Sequence, residues 1–315
     1  MSGSRIALTH ASSLLAEAII QKMVESGVSP DSVVLLDGAE GSDGRLAFGD
    51  TYLPVLDQYE FDYEGLSAVL LLQADDELQD LLQHAECHVL TDIGSTADDT
   101  IFVHGSDVDL PEAPTRVQVA SAELTTLYEV VAPINRLGDI EAVSVTNVLS
   151  ASMFGKPGID ELAGQTIALL NSREVESAVF PMQIAFNMMP IDRGSHYPAQ
   201  LAALLGQPGL SCTVHNLLAP AFHGLAIAVT LDLAEAPDMQ QLEKALRGCP
   251  GLQLASQPVS PHTHCRKGFD IQVFGLASAQ NDAKRLQFWI MADGIRNGLV
   301  KNYLNAIQVL PNSFL

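Results

Sequence analysis

A handful of short clusters in this 315-residue chain hold side chains that could do chemistry. His262-Thr263-His264-Cys265 offers three soft donors, and His84 with Cys87-His88 offers another set. A structural zinc site repeats a paired spacing such as Cys-x2-Cys, which neither cluster does, so both read as loop residues and no metal site is expected. Asp75-Asp76-Glu77 reads as the solvated start of a helix, where carboxylates face free amides. The stretch with most chemical promise is Thr9-His10-Ala11-Ser12-Ser13-Leu14-Leu15. It lies between a strand signal and a helix signal, where a nucleotide pyrophosphate can approach the amides of a helix start. Such a turn ordinarily carries glycines; this one has none, and Leu15 puts a large side chain where close packing is usual.

The elements around that turn have the matching rhythm. Arg5 to Thr9 is a short apolar strand; Leu14, Leu15, Ala18, Ile19 and Met23 recur at helical spacing, with Ser12 and Ser13 as possible caps and Gly27 as the stop. Ser32 to Asp37 is a second strand ending in an acid, placed to meet a ribose hydroxyl, so NAD is a better match than NADP if a nucleotide binds. Gly38 to Asp50 reads as an irregular loop or short hairpin. Strand signals follow at Ala68–Leu72, His88–Leu90, Ile101–Val103 and Val117–Ala120, with a helix from Asp76 to Gln83. These predict an α/β domain with a mainly parallel sheet.

After Ala120 the pattern changes. A helix from Leu124 to about Arg136, a strand at Ala142–Asn147 and a helix around Ile159–Leu170 precede alternating strands at Cys212–Leu217 and Leu225–Leu233. A helix at Met239–Leu246 and a strand at Phe269–Phe274 follow. Helices on one side of an open mixed sheet predict an α+β domain whose free apolar face suits a dimer. The last stretch, Leu286 to Leu310, predicts a buried strand, Phe288-Trp289-Ile290-Met291, feeding a helix capped by Asp293. Its apolar positions are Ile295, Leu299, Tyr303, Ile307 and Leu310, and Arg296, Asn297, Lys301 and Asn302 are expected on the wet face. The helix is expected to dock onto an earlier domain.

Lys and Arg number 16 against 38 Asp and Glu, a formal charge of -22. Nucleic acid and anionic membranes are bound mainly by cations, so neither is an expected partner. No basic segment with an apolar run opens the chain, and no apolar run of about 18 residues occurs, so a soluble cytoplasmic protein is expected. The four cysteines are read as free thiols.

Three ordered motifs carry a family resemblance. Val143 to Leu162, VSVTNVLSASMFGKPGIDEL, resembles the V-S-T-Y-Q-x-V-S-G-x-G segment, with its following E-L, of the aspartate-semialdehyde dehydrogenases. Ile184-Ala185-Phe186-Asn187 with Pro190 is similar to that family's I-A-F-N-x-I-P. Trp289, Ala292-Asp293, Arg296, Gly298, Asn305 and Gln308 fit its closing motif. The resemblance runs from about Arg5 to Leu310. It implies a Rossmann-like domain over 1–122 and 291–315, a catalytic-type dimerisation domain over 123–290, and a homodimer in which the final helix returns to the cofactor domain.

The same resemblance marks where the family's reaction should reside. Its cysteine nucleophile falls at Ala122, or Ser121 with a one-residue shift, and neither is cysteine. Its acid-base histidine falls at Leu225, with His223 two residues away and, by strand alternation, facing the same side. Leu218 and Asp98 stand at arginine positions, and Asn147 at a substrate-positioning glutamine. Gly294 and Asn297 replace an asparagine and a lysine. Thr9, Ser12, Asp37 and Asn297 remain as a degenerate cofactor cleft. Nucleophile, histidine and arginines are lost together, so the chain most resembles the family's degenerate usg-type paralogues. The expectation is a non-catalytic homodimer acting by protein association or a small-molecule ligand, with no cofactor. The alternatives are an active NAD- or NADP-dependent semialdehyde dehydrogenase using displaced groups such as His223 and Cys212, and a small-molecule sensor.

Overall fold

The computed structural model describes residues 5–39, 41, 44–93, 101–103, 110–192, 196–265 and 270–310. The chain forms two compact units, Met1–Ser121 with Leu299–Leu315, and Ala122–Gly298.

The first unit is built on β1 (Ile6–Leu8), α1 (Leu14–Glu25), β2 (Val33–Asp37), β3 (Arg45–Phe48), β4 (Thr51–Asp57), β5 (Ala68–Leu71), α2 (Asp76–Leu82), β6 (His88–Thr91), β7 (Ile101–Val103) and β8 (Arg116–Val119). Their order in the sheet is β3-β4-β2-β1-β5-β6-β8-β7. All neighbours are parallel except β3 and β4, an antiparallel hairpin that fills the glycine-rich stretch and ends the sheet. Ser13 caps α1 by accepting the Ala16 amide, and Gly27, at φ 77°, lets the chain leave the helix in a left-handed conformation that a side chain would resist. The helix buries Leu15, Ile19, Ile20 and Met23 on one stripe. Val34, Leu36, Val69, Leu71, Leu78, Leu82 and Val89 pack into one apolar cluster of this unit, giving the near-continuous apolar strands of a covered parallel sheet. The strand order reverses between β1 and β5, which run parallel, and the crevice beyond their carboxyl ends is where doubly wound folds hold ligands.

The second unit runs through α3 (Ala122–Asn135), β9 (Ile140–Leu149), α4 (Gly155–Leu170), β10 (Met189–Pro190), α5 (Tyr197–Leu204), β11 (Ser211–Leu218), β12 (Leu225–Leu233), α6 (Met239–Arg247), β13 (Leu252–Ala255), β14 (Ile271–Ala279) and β15 (Asp282–Ala292). Its mixed sheet has the order β10-β11-β9-β12-β15-β14-β13. Alternation in β9, β12 and β15 turns Val143, Val145, Ile227, Val229, Phe288 and Ile290 inward. The opposite face is open. It carries a shallow depression of about 550 Å³ lined by Ser144, Thr146, Thr213, His215, Thr230 and Trp289.

The closing stretch departs from its sequence reading in two ways. Only alternate residues of its strand are buried: Trp289 is 41% exposed while Phe288 and Ile290 are inside, because period-two geometry sends neighbours to opposite faces. Asn297 and Asn302, expected in solvent, are buried. Each satisfies main chain that lacks a partner there: the Asp293 amide donates to Asn297 Oδ1, and Asn302 Nδ2 donates to the Ala120 carbonyl. Asp293 does cap the following turn, its Oδ1 accepting the Arg296 amide. A wide helical turn, Gly294–Val300, leads into α7 (Lys301–Gln308), which belongs to the first unit. There the fully buried Tyr303 hydroxyl donates to Asp92 Oδ1 and accepts the Asp92 amide. No helix among the described residues is long and apolar enough to cross a membrane.

Candidate functional site

The family positions of the second unit lie at the start of α3 and toward one end of its sheet, at the ends of β9 and β11 and the start of β12. Ala122 opens α3 and is 1% exposed, with half-buried Ser121 just before it. A Cβ on Gly298 would stand 2.6 Å from Ala122 Cα, so the helix start and the terminal turn touch backbone to backbone. That close approach is the physical reason for a glycine at this point of the closing motif. Leu225 begins β12 and is fully buried, beside Leu149 and Ala292. Leu218, in an arginine position, is likewise fully buried at the end of β11.

His223 does not share the face of Leu225. It precedes the strand, is exposed, and is separated from Leu225 by Gly224 at φ 104°, so strand alternation does not reach it. Its loop is pinned: Ala151 and Ser152 amides donate to the Ala221 and Phe222 carbonyls, and Ser150 Oγ donates to the Gly224 carbonyl at 2.6 Å. Cys212 is far from this end. It pairs with Val143 while Leu218 pairs with Leu149, so about 20 Å of strand separates it from that end. Burial pushes its thiol pKa up to about 11, leaving little thiolate at neutral pH. Asn147 is 1% exposed; its Nδ2 donates to Asn216 Oδ1 at 2.9 Å, and its own Oδ1 has no hydrogen-bond partner. Asn297 Nδ2 is buried in the same state. Gly294 packs against Met153 and Leu225, where a Cβ would meet Met153 Sδ at 2.8 Å. Asp98 lies outside the described residues.

Two motifs of the family pattern prove to be joined. Glu161 accepts the Ala178 and Phe180 amides, and Gln165 Oε1 accepts the Ile184 and Ala185 amides. The carboxylate and amide of α4 thus hold the segment that ends in Ile184-Ala185-Phe186-Asn187. Phe186 is 69% exposed at φ 59°, an uncommon backbone state for a bulky residue. Gln165 could not be found from spacing, because its partners are free amides of an irregular segment.

In the first unit, Thr9, Ser12 and Asp37 line the crevice turn. Thr9 is fully buried and donates to the Leu70 carbonyl at 3.0 Å. Asp37, 8% exposed, receives the Ser12 amide on Oδ2 at 2.8 Å and the Gly38 amide on Oδ1 at 2.9 Å. His10 takes the left-handed conformation, φ 51°, that glycine would otherwise supply. Its Nε2 stands 3.3 Å from Asp75 Oδ2, which also accepts the Tyr59 hydroxyl at 2.7 Å. Burial works against the charge of Asp75, but the Leu78 amide, the Tyr59 hydroxyl and His10 outweigh it and hold its pKa below the ordinary value. Sequence reading missed Gln58, which is 1% exposed and bridges His10 and Asp75. The cluster draws on residues after β1, β4 and β5, so no local spacing announces it. Among the described residues, no three His, Cys, Asp or Glu side chains gather to hold a metal ion.

A parallel doubly wound unit followed by a mixed-sheet unit, with the chain end returned to the first, defines an α/β protein of the Rossmann-plus-dimerisation type. A family model described as the semialdehyde dehydrogenase dimerisation domain matches residues 131–297, more than half the chain. The chain therefore belongs to the semialdehyde dehydrogenase family. It is 27% identical to a USG-1 protein homolog of Pseudomonas aeruginosa over 98% of both chains. It is 26% identical to aspartate-semialdehyde dehydrogenase 2 of Vibrio cholerae, again over 98% of both. The solved structure of a probable aspartate-semialdehyde dehydrogenase from Pseudomonas aeruginosa superposes with a TM-score of 0.84 at 25% identity, covering 98% of this chain and 97% of that one.

Proposed function

We propose that this chain is a homodimeric member of the aspartate-semialdehyde dehydrogenase group that has lost the dehydrogenase reaction and acts by protein association. The observation that carries the reading is Ala122, buried against Gly298 where the resemblance puts the nucleophile, with Ser121 the one-residue alternative and no cysteine at either. Acyl transfer needs a thiolate to attack the carbonyl, and a methyl group cannot do so. Losing a nucleophile costs on the order of a millionfold in rate, or about 8 kcal/mol of transition-state stabilisation. Leu225 adds the loss of the proton-transfer group. The displaced-group alternative finds no support in Cys212, which is remote and protonated, or in His223, which sits on a solvent loop.

Association is supported by the open face of the second sheet, with Trp289 on it, in a unit matched by a dimerisation-domain model. Ile167, Leu170, Met182, Phe186 and Met188 are further exposed apolar side chains of that unit. The test is reduction of NAD or NADP with aspartate semialdehyde and phosphate at high protein concentration. The expected result is no turnover above the blank; turnover abolished by His223→Ala would end the proposal.

One observation favours a ligand as well. Asn147 Oδ1 is a buried acceptor with nothing to accept, a state that costs about 1–3 kcal/mol and that a ligand N–H would relieve. A thermal-shift panel of small amides and amino acids, with Asn147→Ala as control, reads this out. Stabilisation seen equally in the variant means that the cleft is not the binding site.

A further inference from the structure

The family's cofactor requires a turn after β1 whose amides are free to meet a pyrophosphate, and an acid after β2 free to meet a ribose. Here both features are largely bonded within the chain. Each amide from Thr9 to Ser13 is already spent inside the chain, that of Thr9 on the Leu70 carbonyl at 3.1 Å. The His10 amide donates to Gln58 Oε1 at 3.2 Å, and the Ala11 amide to the Leu36 carbonyl at 2.9 Å. The Ser12 amide donates to Asp37 Oδ2 at 2.8 Å, and the Ser13 amide to the His10 carbonyl at 2.9 Å. The helix capped by Ser13 has its Ala16 amide satisfied too.

The side chains repeat the pattern. Asp37 has each oxygen already accepting a main-chain amide, so a ribose hydroxyl would have to share an oxygen that caps the turn. The imidazole of His10 is also engaged: its Nδ1 stands 3.2 Å from Thr9 Oγ1, which itself donates to the Leu70 carbonyl. His10 Nε2, Gln58 Nε2 and the Tyr59 hydroxyl all meet Asp75 Oδ2. Gln58 is itself fixed, its amide donating to the Asp37 carbonyl at 2.8 Å and its carbonyl accepting the Tyr63 hydroxyl at 2.6 Å. A dinucleotide would therefore have to break several internal hydrogen bonds and bring its phosphates beside Asp37 and Asp75.

We propose that the crevice is closed to dinucleotides by the chain itself: Asp37 and Gln58 act as internal stand-ins for cofactor acceptor atoms, and the His10–Asp75–Tyr59 network completes the closure. The turn thus folds without a ligand. The inference does not rest on the missing nucleophile, since a chain without one could still hold a nucleotide. Binding is measured without aldehyde, so binding without turnover overturns this inference and leaves the proposed loss of reaction standing.

The experiment uses the full chain. Calorimetric titration with NAD, NADP and inorganic pyrophosphate is expected to give no saturable heat, and hydrogen exchange of the 10–13 amides is expected to be slow and unchanged by NADP. One equivalent of either dinucleotide bound per chain with saturable heat, or turn amides exchanging at unstructured rates, overturns the proposal. Asp37→Ala should lower the melting temperature by about 2–4 °C, while Asp37→Asn, whose Oδ1 still accepts the Ser12 amide, should recover most of it. An Asp37→Ala protein that melts with the wild type refutes the internal-acceptor role; if that variant does not fold, Asp37→Asn decides alone, through retained protection of the Ser12 amide.

Discussion

At the residue scale, the positions that the family resemblance gives to nucleophile and histidine, Ala122 and Leu225, are packing positions. Both are at or near zero exposure, so on the proposed reading one added reactive group at Ala122 does not make a working site. Ala122→Cys is therefore expected to produce no measurable turnover with aspartate semialdehyde and NADP, read by absorbance of the reduced cofactor. Gly298 tests the packing itself: a Cβ there meets Ala122 backbone at 2.6 Å, which cannot rotate away. Gly298→Ala should cost about 1–3 kcal/mol by urea denaturation, and a neutral result would show that the close approach is relaxed. His88 supplies a pH effect. Burial in β6 lowers its pKa below 6.5, partly offset by a backbone hydrogen bond with Thr115, and its Nδ1 has no partner. The unfolded chain binds this proton at about 6.5 while the folded chain resists it, so stability should fall as the pH drops below that value. Urea midpoints at about pH 7.5 and about pH 5.5 should differ less in His88→Leu than in the wild type.

At the scale of elements, buried polar groups decide which segments stay together. Glu161 and Gln165 on α4 tie down the segment from Ala178 to Ala185, a role that explains two of the family motifs without any catalysis. Tyr303 on α7 does the same for the chain end, taking both the amide and the carboxylate of Asp92. Tyr303→Phe would take the hydroxyl acceptor from that half-buried amide, at about 1–3 kcal/mol. The loss should appear as faster hydrogen exchange in 301–308; unchanged exchange there would mean that apolar packing alone anchors the helix.

At the scale of the molecule, the open sheet face and the strongly acidic surface point in different directions. A charge of -22 repels a second copy at long range, yet the depression around Trp289 is lined by hydroxyl and aromatic groups, where close contact meets little of that charge. Association should therefore tighten as salt rises. Sedimentation velocity at micromolar concentration is expected to show a species of two 33.7 kDa chains, and Trp289→Asp to shift it toward one. A wild-type protein sedimenting as a single 33.7 kDa chain refutes the dimer. Trp289 emission should report this association and not a ligand in the old cleft, because the ring is on the opposite face from Phe288 and Ile290.

Much was legible in the residue order, because local periodicity follows from backbone geometry. Strand, helix and strand from Arg5 to Asp37, the mixed second sheet, the Asp293 cap and the absence of a cysteine at position 122 all follow from neighbours along the chain. What depended on tertiary structure was the use of polar side chains whose partners are distant in sequence. Asn297 and Asn302 read as solvent-facing, yet unsatisfied main chain drew them inside. Gln58 carried no signal at all, yet it joins His10 to Asp75 across three strand ends. The turn's lack of glycines could be read from the sequence; only the folded chain, by bringing Asp37 and Gln58 to its amides, decided which acceptors they meet.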